Sequence, residues 1–155
     1  MTTKEFYAIH PIGFVRSALV DLNDAPRQGS EGAPPAVVEV RDDFTPALDG
    51  IVPGSELIVL TWLHLADRGT LRVHPRDDLD RPLTGVFATR SPDRPNPIGL
   101  HRVRVLAIEE GHRLHVAPLE AVDGTPVLDL KPVLNPDRVR DVGARAAVTP
   151  APVGR

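Results

Sequence analysis

Apolar residues in this chain recur at every second position far more often than at every third or fourth. Val103, Val105 and Ala107 alternate with Arg104 and Leu106, and Glu110-Gly111-His112 then turns the chain into Leu114 and Val116, which predicts a β-hairpin. The run Leu57-Ile58-Val59-Leu60-Thr61-Trp62-Leu63 is short, β-branched and bounded by turn residues, and it predicts a buried central strand. Val37, Val38 and Val40 predict another strand, Leu71 and Val73 a half-buried one, and Val86 with Phe87 one more. Asp123-Gly124 signals a turn into Val127, Leu128 and Leu130, and Tyr7 to Arg16 reads as a first strand made irregular by Pro11 and Gly13. No stretch carries a long helical stripe, although residues 41–49 leave room for a short helix. About seven or eight strands with hairpin-length connections normally close into a barrel or a sandwich, which removes their edges.

Composition agrees with this reading. The 17 prolines and 12 glycines interrupt the chain too often for long helices. A length of 155 residues, 41% hydrophobic and 25% charged, suits one soluble domain. The expected organisation is a domain over residues 1–134 and a polar, Ala- and Pro-rich tail over 135–155. No apolar run approaches a membrane span and the N-terminus lacks a secretory layout, so a cytoplasmic protein is expected. The absence of cysteine removes disulfides, thiolate metal sites and cysteine nucleophiles. His112 and His115 fall on opposite faces of a strand, so no metal is expected. The formal charge of −3 argues against a generally basic nucleic-acid binder, yet residues 68–104 hold eight arginines against four acids. That basic middle suits phosphates, and equally a solvated strand face.

The chemistry concentrates in a few segments. FATRSPDRPNPIGL at 87–100 carries Pro92, Pro95 and Pro97, which fix φ repeatedly, so the loop has one shape and little entropy to lose on binding. Its carbonyls and Asn96 suit an exocyclic amine; a stiff connector is the alternative. Pro26-Arg27-Gln28-Gly29 offers a guanidinium and an amide to a carboxylate, with close backbone approach at the glycine. Asp123-Gly124-Thr125-Pro126 leads into a strand where Asp129 and Lys131 share a face. Trp62 and His64 share a face at a strand exit, where core packing accounts for Trp62 and His64 is as suited to a ligand as to the core. No G-x-G-x-x-G, phosphate loop or serine nucleophile elbow is present.

Together PRQG at 26–29, WLH at 62–64, FATRSPDRPNPIGL at 87–100 and DGTPVLDLKP at 123–132, in that order and spacing, resemble the TsaA-like (TrmO-like) tRNA methyltransferases over roughly residues 9–134. The resemblance implies an all-β fold, a small antiparallel β-barrel of about seven strands with long loops and little helix, forming a homodimer. It implies S-adenosylmethionine as cofactor, bound near the subunit interface by Pro26, Arg27, Gln28, His64, Arg90, Leu100, Asp123, Gly124 and Thr125. It further implies methyl transfer to the exocyclic nitrogen of threonylcarbamoyladenosine beside the tRNA anticodon, with Asn96, Arg90 and Arg94 at the reacting centre. The longer, tRNA-active members continue into a further C-terminal domain, whereas this chain stops at Arg155. A methyltransferase of a small molecule or another nucleoside, or a non-catalytic S-adenosylmethionine- or RNA-binding module, is therefore the alternative expectation.

Overall fold

The computed structural model describes residues 5–135. Six strands close into an antiparallel barrel: β1 (Gly13–Arg16), β2 (Ala36–Val40), β3 (Glu56–Trp62), β6 (Ile98–Glu109), β7 (Arg113–Ala117) and β8 (Pro126–Pro132). Their order around the wall is β1-β2-β7-β6-β3-β8, and β8 pairs back onto β1. Two short strands, β4 (Arg72–Val73) and β5 (Thr84–Gly85), form a separate ribbon outside the barrel. Alternation decides what faces inward. Leu57 and Val59 of β3, Val103 and Val105 of β6, Val38 and Val40 of β2, and Leu114 and Val116 of β7 fill the interior. Each fully buried Val or Leu contributes about 1.5–3 kcal/mol of transfer free energy. Register shifts at Leu60/Thr61 and Val105/Ala107 give the wall the local bends that closure needs.

The expected barrel is present, with six wall strands rather than seven. Val86 and Phe87 are not a strand: Val86–Ala88 is a 3-10 turn directly after β5. The first strand begins at Gly13, and the exposed residues 5–10 before it make no sheet pairing. The short helix within 41–49 is a 3-10 helix, Asp42–Leu48, seated by the buried Leu48. Trp62 is half-buried rather than a core residue, and Lys131 pairs with Asp129 at 2.9 Å as their shared face predicts. The tail expected over 135–155 lies outside the described residues except for Asn135.

One topological feature positions the site. β6 is 12 residues long and β7 only five, so their pairing stops at Arg104↔Ala117 while β6 runs on against β3 as far as Ile98↔Trp62. Among the described residues the stretch 98–103 therefore has no strand partner on the β7 side, even though the barrel is closed elsewhere.

Candidate functional site

The proline-rich segment is braced from within and from the turn after β3. Arg94 donates Nε to the Ser91 carbonyl at 2.7 Å and Nη2 to the carbonyls of Val86 and Thr89 at 2.9 and 2.6 Å. The Leu63 N–H donates to Pro97 O at 2.8 Å, the Arg94 N–H to Asp67 O at 3.0 Å, and the Asp67 N–H to Asp93 Oδ1 at 2.8 Å. The Asp67 carboxylate accepts from the Gly69 N–H and the Thr70 hydroxyl, which hold it below the usual carboxylate range. Arg68 completes the brace: its guanidinium sits 5.1 Å from the Trp62 ring centre, and it donates Nε to Pro95 O at 2.8 Å and Nη2 to Asn96 Oδ1 at 3.1 Å. An arginine only donates, so the acceptor end of the Asn96 amide is spent on it and the Nδ2 donor remains available.

A cleft of about 680 Å³ opens where β7 parts from β6. The loop residues Gln28 and Gly29, Leu100 and Arg102 of β6, and Glu120 are among the residues that line it. The backbone of β6 is open here. Val105 spends its N–H and C=O on the β3 side, against Ser55 and Gly54. By antiparallel alternation with no slip along the β3–β6 ladder, Leu100 and Arg102 direct theirs toward the cleft. Arg102 and Arg104 bond the Glu56 carboxylate at 3.0 and 3.1 Å and hold it below its ordinary range, Arg102 contributing most. Arg90 has no partner among the described residues and also faces the cleft. A free cation, a carboxamide and an unpaired strand edge are a set that can hold a planar donor–acceptor heterocycle together with an anionic group.

Of the expected site residues, Gln28, Arg90 and Leu100 line this cleft. Pro26 and Arg27 do not. Arg27 pairs with Asp77 at 2.8 Å, and the neighbouring Glu31 with Arg76 at 2.7 Å, so the 3-10 turns between β1 and β2 are clamped to the left-handed turn at Arg76 (φ 60°) and Asp77 (φ 56°). The Arg76 hydrogen bond is also the main reason that Glu31 titrates low. His64 is exposed in the turn after β3. Asp123, Gly124 and Thr125 lie elsewhere and tie down the end of β1: Asp123 Oδ1 accepts from the Ser17 N–H at 3.0 Å, and the Gly124 N–H donates to Val15 O at 2.8 Å. Asp123 borders a separate depression of about 390 Å³ with Ser17, Val37 and His115, and the two hollows share no residue. Asn96 is exposed on the braced loop, and Arg94 is committed inside it. His101, Glu120 and Arg68 were not singled out by sequence. His101 had a signal, a histidine at an inward position between Gly99 and Val103; its partner Glu120, across a hairpin, had none.

The sequence model of the tRNA-methyltransferase O N-terminal domain matches residues 14–137. The chain is 45% identical over 124 residues to a probable S-adenosyl-L-methionine-binding protein of Methanothermobacter thermautotrophicus, covering 80% of this chain and 88% of that one. It is 43% identical over 123 residues to an S-adenosyl-L-methionine-binding protein of Archaeoglobus fulgidus, covering 79% and 86%. Among solved structures it superposes on the crystal structure of TrmO from P. aeruginosa with a TM-score of 0.68 at 31% identity. That superposition covers 99% of this chain, which spans only 63% of the TrmO chain.

Proposed function

Because this chain belongs to the family of the tRNA-methyltransferase O N-terminal domain, we propose that it is an S-adenosylmethionine-dependent methyltransferase acting on the exocyclic nitrogen of threonylcarbamoyladenosine beside the tRNA anticodon. The observation that carries the reading is the meeting of Gln28, Arg90 and the open backbone edge at Leu100 in one cleft. The fit to the cofactor rests on that donor set: the strand edge suits the adenine, and Arg90 with Gln28 suits the carboxylate of the amino-acid part. The remaining expected contacts, Pro26, Arg27, His64, Asp123, Gly124 and Thr125, do not line the cleft of one protomer. We assign them to the cofactor through a homodimer in which a second copy brings its 26–27 loop, the turn after β3 and the 123–125 turn to the cleft.

When bound, S-adenosylmethionine supplies an electrophilic methyl group for in-line displacement. The chain's own contribution is position. The loop that carries Asn96 is stiffened by three prolines and braced by Arg68 and Arg94, so little entropy is lost on closing around an acceptor. Asn96 presents Nδ2 to the carbamoyl oxygen of the acceptor and stabilises the charge that develops there as the adjacent nitrogen loses its proton to solvent and gains the methyl group. Arg90 adds positive charge from the cleft. Arg94 acts by shaping the loop. The experiment is calorimetry of the purified protein with S-adenosylmethionine: binding at micromolar or tighter affinity supports the reading, and no heat at any concentration rejects it.

The two relatives named above, of which this chain covers 88% and 86%, are described as binding proteins, and this favours one second reading. In it the chain binds S-adenosylmethionine and methylates a small molecule or another nucleoside, or no acceptor at all. Cofactor binding without product on any tRNA selects it.

A further inference from the structure

Thr61, His101 and Glu120 form a chain of side-chain hydrogen bonds that runs from the barrel interior to the cleft. Thr61 is 0% and His101 5% exposed, at inward positions of β3 and β6 where the neighbours are Val and Leu. Thr61 Oγ1 lies 2.8 Å from His101 Nε2, and His101 Nδ1 lies 2.5 Å from Glu120 Oε1. A carboxylate only accepts, so Nδ1 donates to it, and in the neutral ring Nε2 accepts from the Thr61 hydroxyl. Both ring nitrogens are then used, and the imidazole has nothing left for a ligand. Polar groups on an apolar face cost free energy that a valine at 101 would avoid. What the network delivers at its outer end is a carboxylate held in one orientation.

Glu120 keeps a second oxygen. Oε2 has no hydrogen-bond partner among the described residues, is not sealed from solvent, and belongs to the wall of the cleft. Two glycines preserve this arrangement by their lack of a side chain. A Cβ at Gly99 would collide with Thr61 Oγ1 and His101 Nε2, and a Cβ at Gly29 would stand 3.1 Å from Glu120 Oε2 and 3.1 Å from Pro118 Cγ. The loop thus passes over the carboxylate while leaving that oxygen uncovered.

We propose that Glu120 Oε2 is the acceptor for a ribose hydroxyl of the nucleoside bound in the cleft, with His101 and Thr61 as positioning residues. The inference rests on the reading of this cleft as an S-adenosylmethionine site. A hydroxyl brings one proton, which the open oxygen accepts in full, whereas an ammonium brings three and needs acceptors beyond that oxygen. The hydroxyl belongs either to the cofactor or to the acceptor nucleoside, and the two are separable.

The test is calorimetry of S-adenosylhomocysteine and its 2′-deoxy and 3′-deoxy counterparts on the wild type, Glu120→Ala and Glu120→Gln, with tRNA kinetics alongside. Gln keeps the volume and the bond to His101 should the Ala variant fail to fold. The wild type is expected to prefer the ribose form over one deoxy form by about tenfold or more, with that preference lost in the Ala variant and reduced several-fold in the Gln variant. An unchanged preference with a raised KM for tRNA assigns the hydroxyl to the acceptor instead. A wild type that binds no S-adenosylhomocysteine sinks the cofactor reading and the proposal with it. A wild type that binds while both variants keep its ribose preference and its KM, whatever their melting temperatures, overturns the proposal alone and leaves Glu120 a structural group.

Discussion

Arg68 grips Asn96 by its carbonyl oxygen, Nη2 to Oδ1 at 3.1 Å, while its guanidinium plane rests over Trp62. This contact fixes which end of the amide is held in the brace and leaves Nδ2 without a partner among the described residues. It also joins the turn after β3 to the proline-rich loop, so two segments separated by more than 20 residues behave as one surface.

Arg68→Lys keeps the charge and loses the fork that reaches Pro95 O and Asn96 Oδ1 together. Single-turnover methyl transfer is expected to slow by about 10–100-fold, because a displacement of about 1 Å at a positioned group costs that much. Cofactor affinity measured by calorimetry is expected to stay within about twofold of wild type, since Arg68 does not line the cleft.

Asn96→Asp separates the two ends of the amide. The oxygen facing Arg68 remains and the bond becomes charge-assisted, so the loop stays in place. The donor is gone, and kcat is expected to fall by about 100-fold with the melting temperature preserved. Full turnover in this variant would remove Asn96 from the reacting centre.

Arg94→Lys tests a structural role. One ammonium cannot span the carbonyls of Val86, Thr89 and Ser91 that the guanidinium holds together. A loss of about 1–3 kcal/mol in urea unfolding is expected. Activity is expected to fall in step with the disordering of the loop, and activity lost at unchanged stability would instead mark Arg94 as a direct participant.

Acid should weaken the fold and the loop brace together. Asp67 is held low by the Gly69 N–H and Thr70, Glu56 by Arg102 and Arg104, Glu31 by Arg76, and Glu109 by its hydrogen bond to His115 and the nearby Arg113. A carboxylate whose folded pKa lies below its unfolded one contributes its full stability above the unfolded value and loses it as pH falls through the folded value. Chemical denaturation is therefore expected to show stability insensitive to these groups near neutrality and declining below about pH 4. Asp67→Asn should flatten part of that decline.

The barrel was legible because alternation is a local signal: Val103 and Val105, or Leu114 and Val116, reveal their inward face without knowledge of their partners. Val86 misled because two apolar residues in a row look like a strand when the guanidinium that takes the Val86 carbonyl, Arg94, is eight residues away. Ile98 to Leu100 looked like loop because three prolines precede them, yet pairing with β3 carries them into β6. The proline-rich motif and Gln28 stood out by composition, and Arg90 by the family resemblance. Arg68 and Glu120 did not, because each acquires its role only through a contact made in the folded chain, to Asn96 in one case and to His101 in the other.

Methyl transfer is measured directly by nucleoside mass spectrometry of tRNA from a strain lacking the threonylcarbamoyladenosine methylation, after incubation with the purified protein and S-adenosylmethionine. Threonylcarbamoyladenosine is expected to be converted to a species heavier by one methyl group in place of a hydrogen, and Asn96→Asp to slow the conversion. Unmodified threonylcarbamoyladenosine after prolonged incubation with cofactor-saturated protein would contradict it.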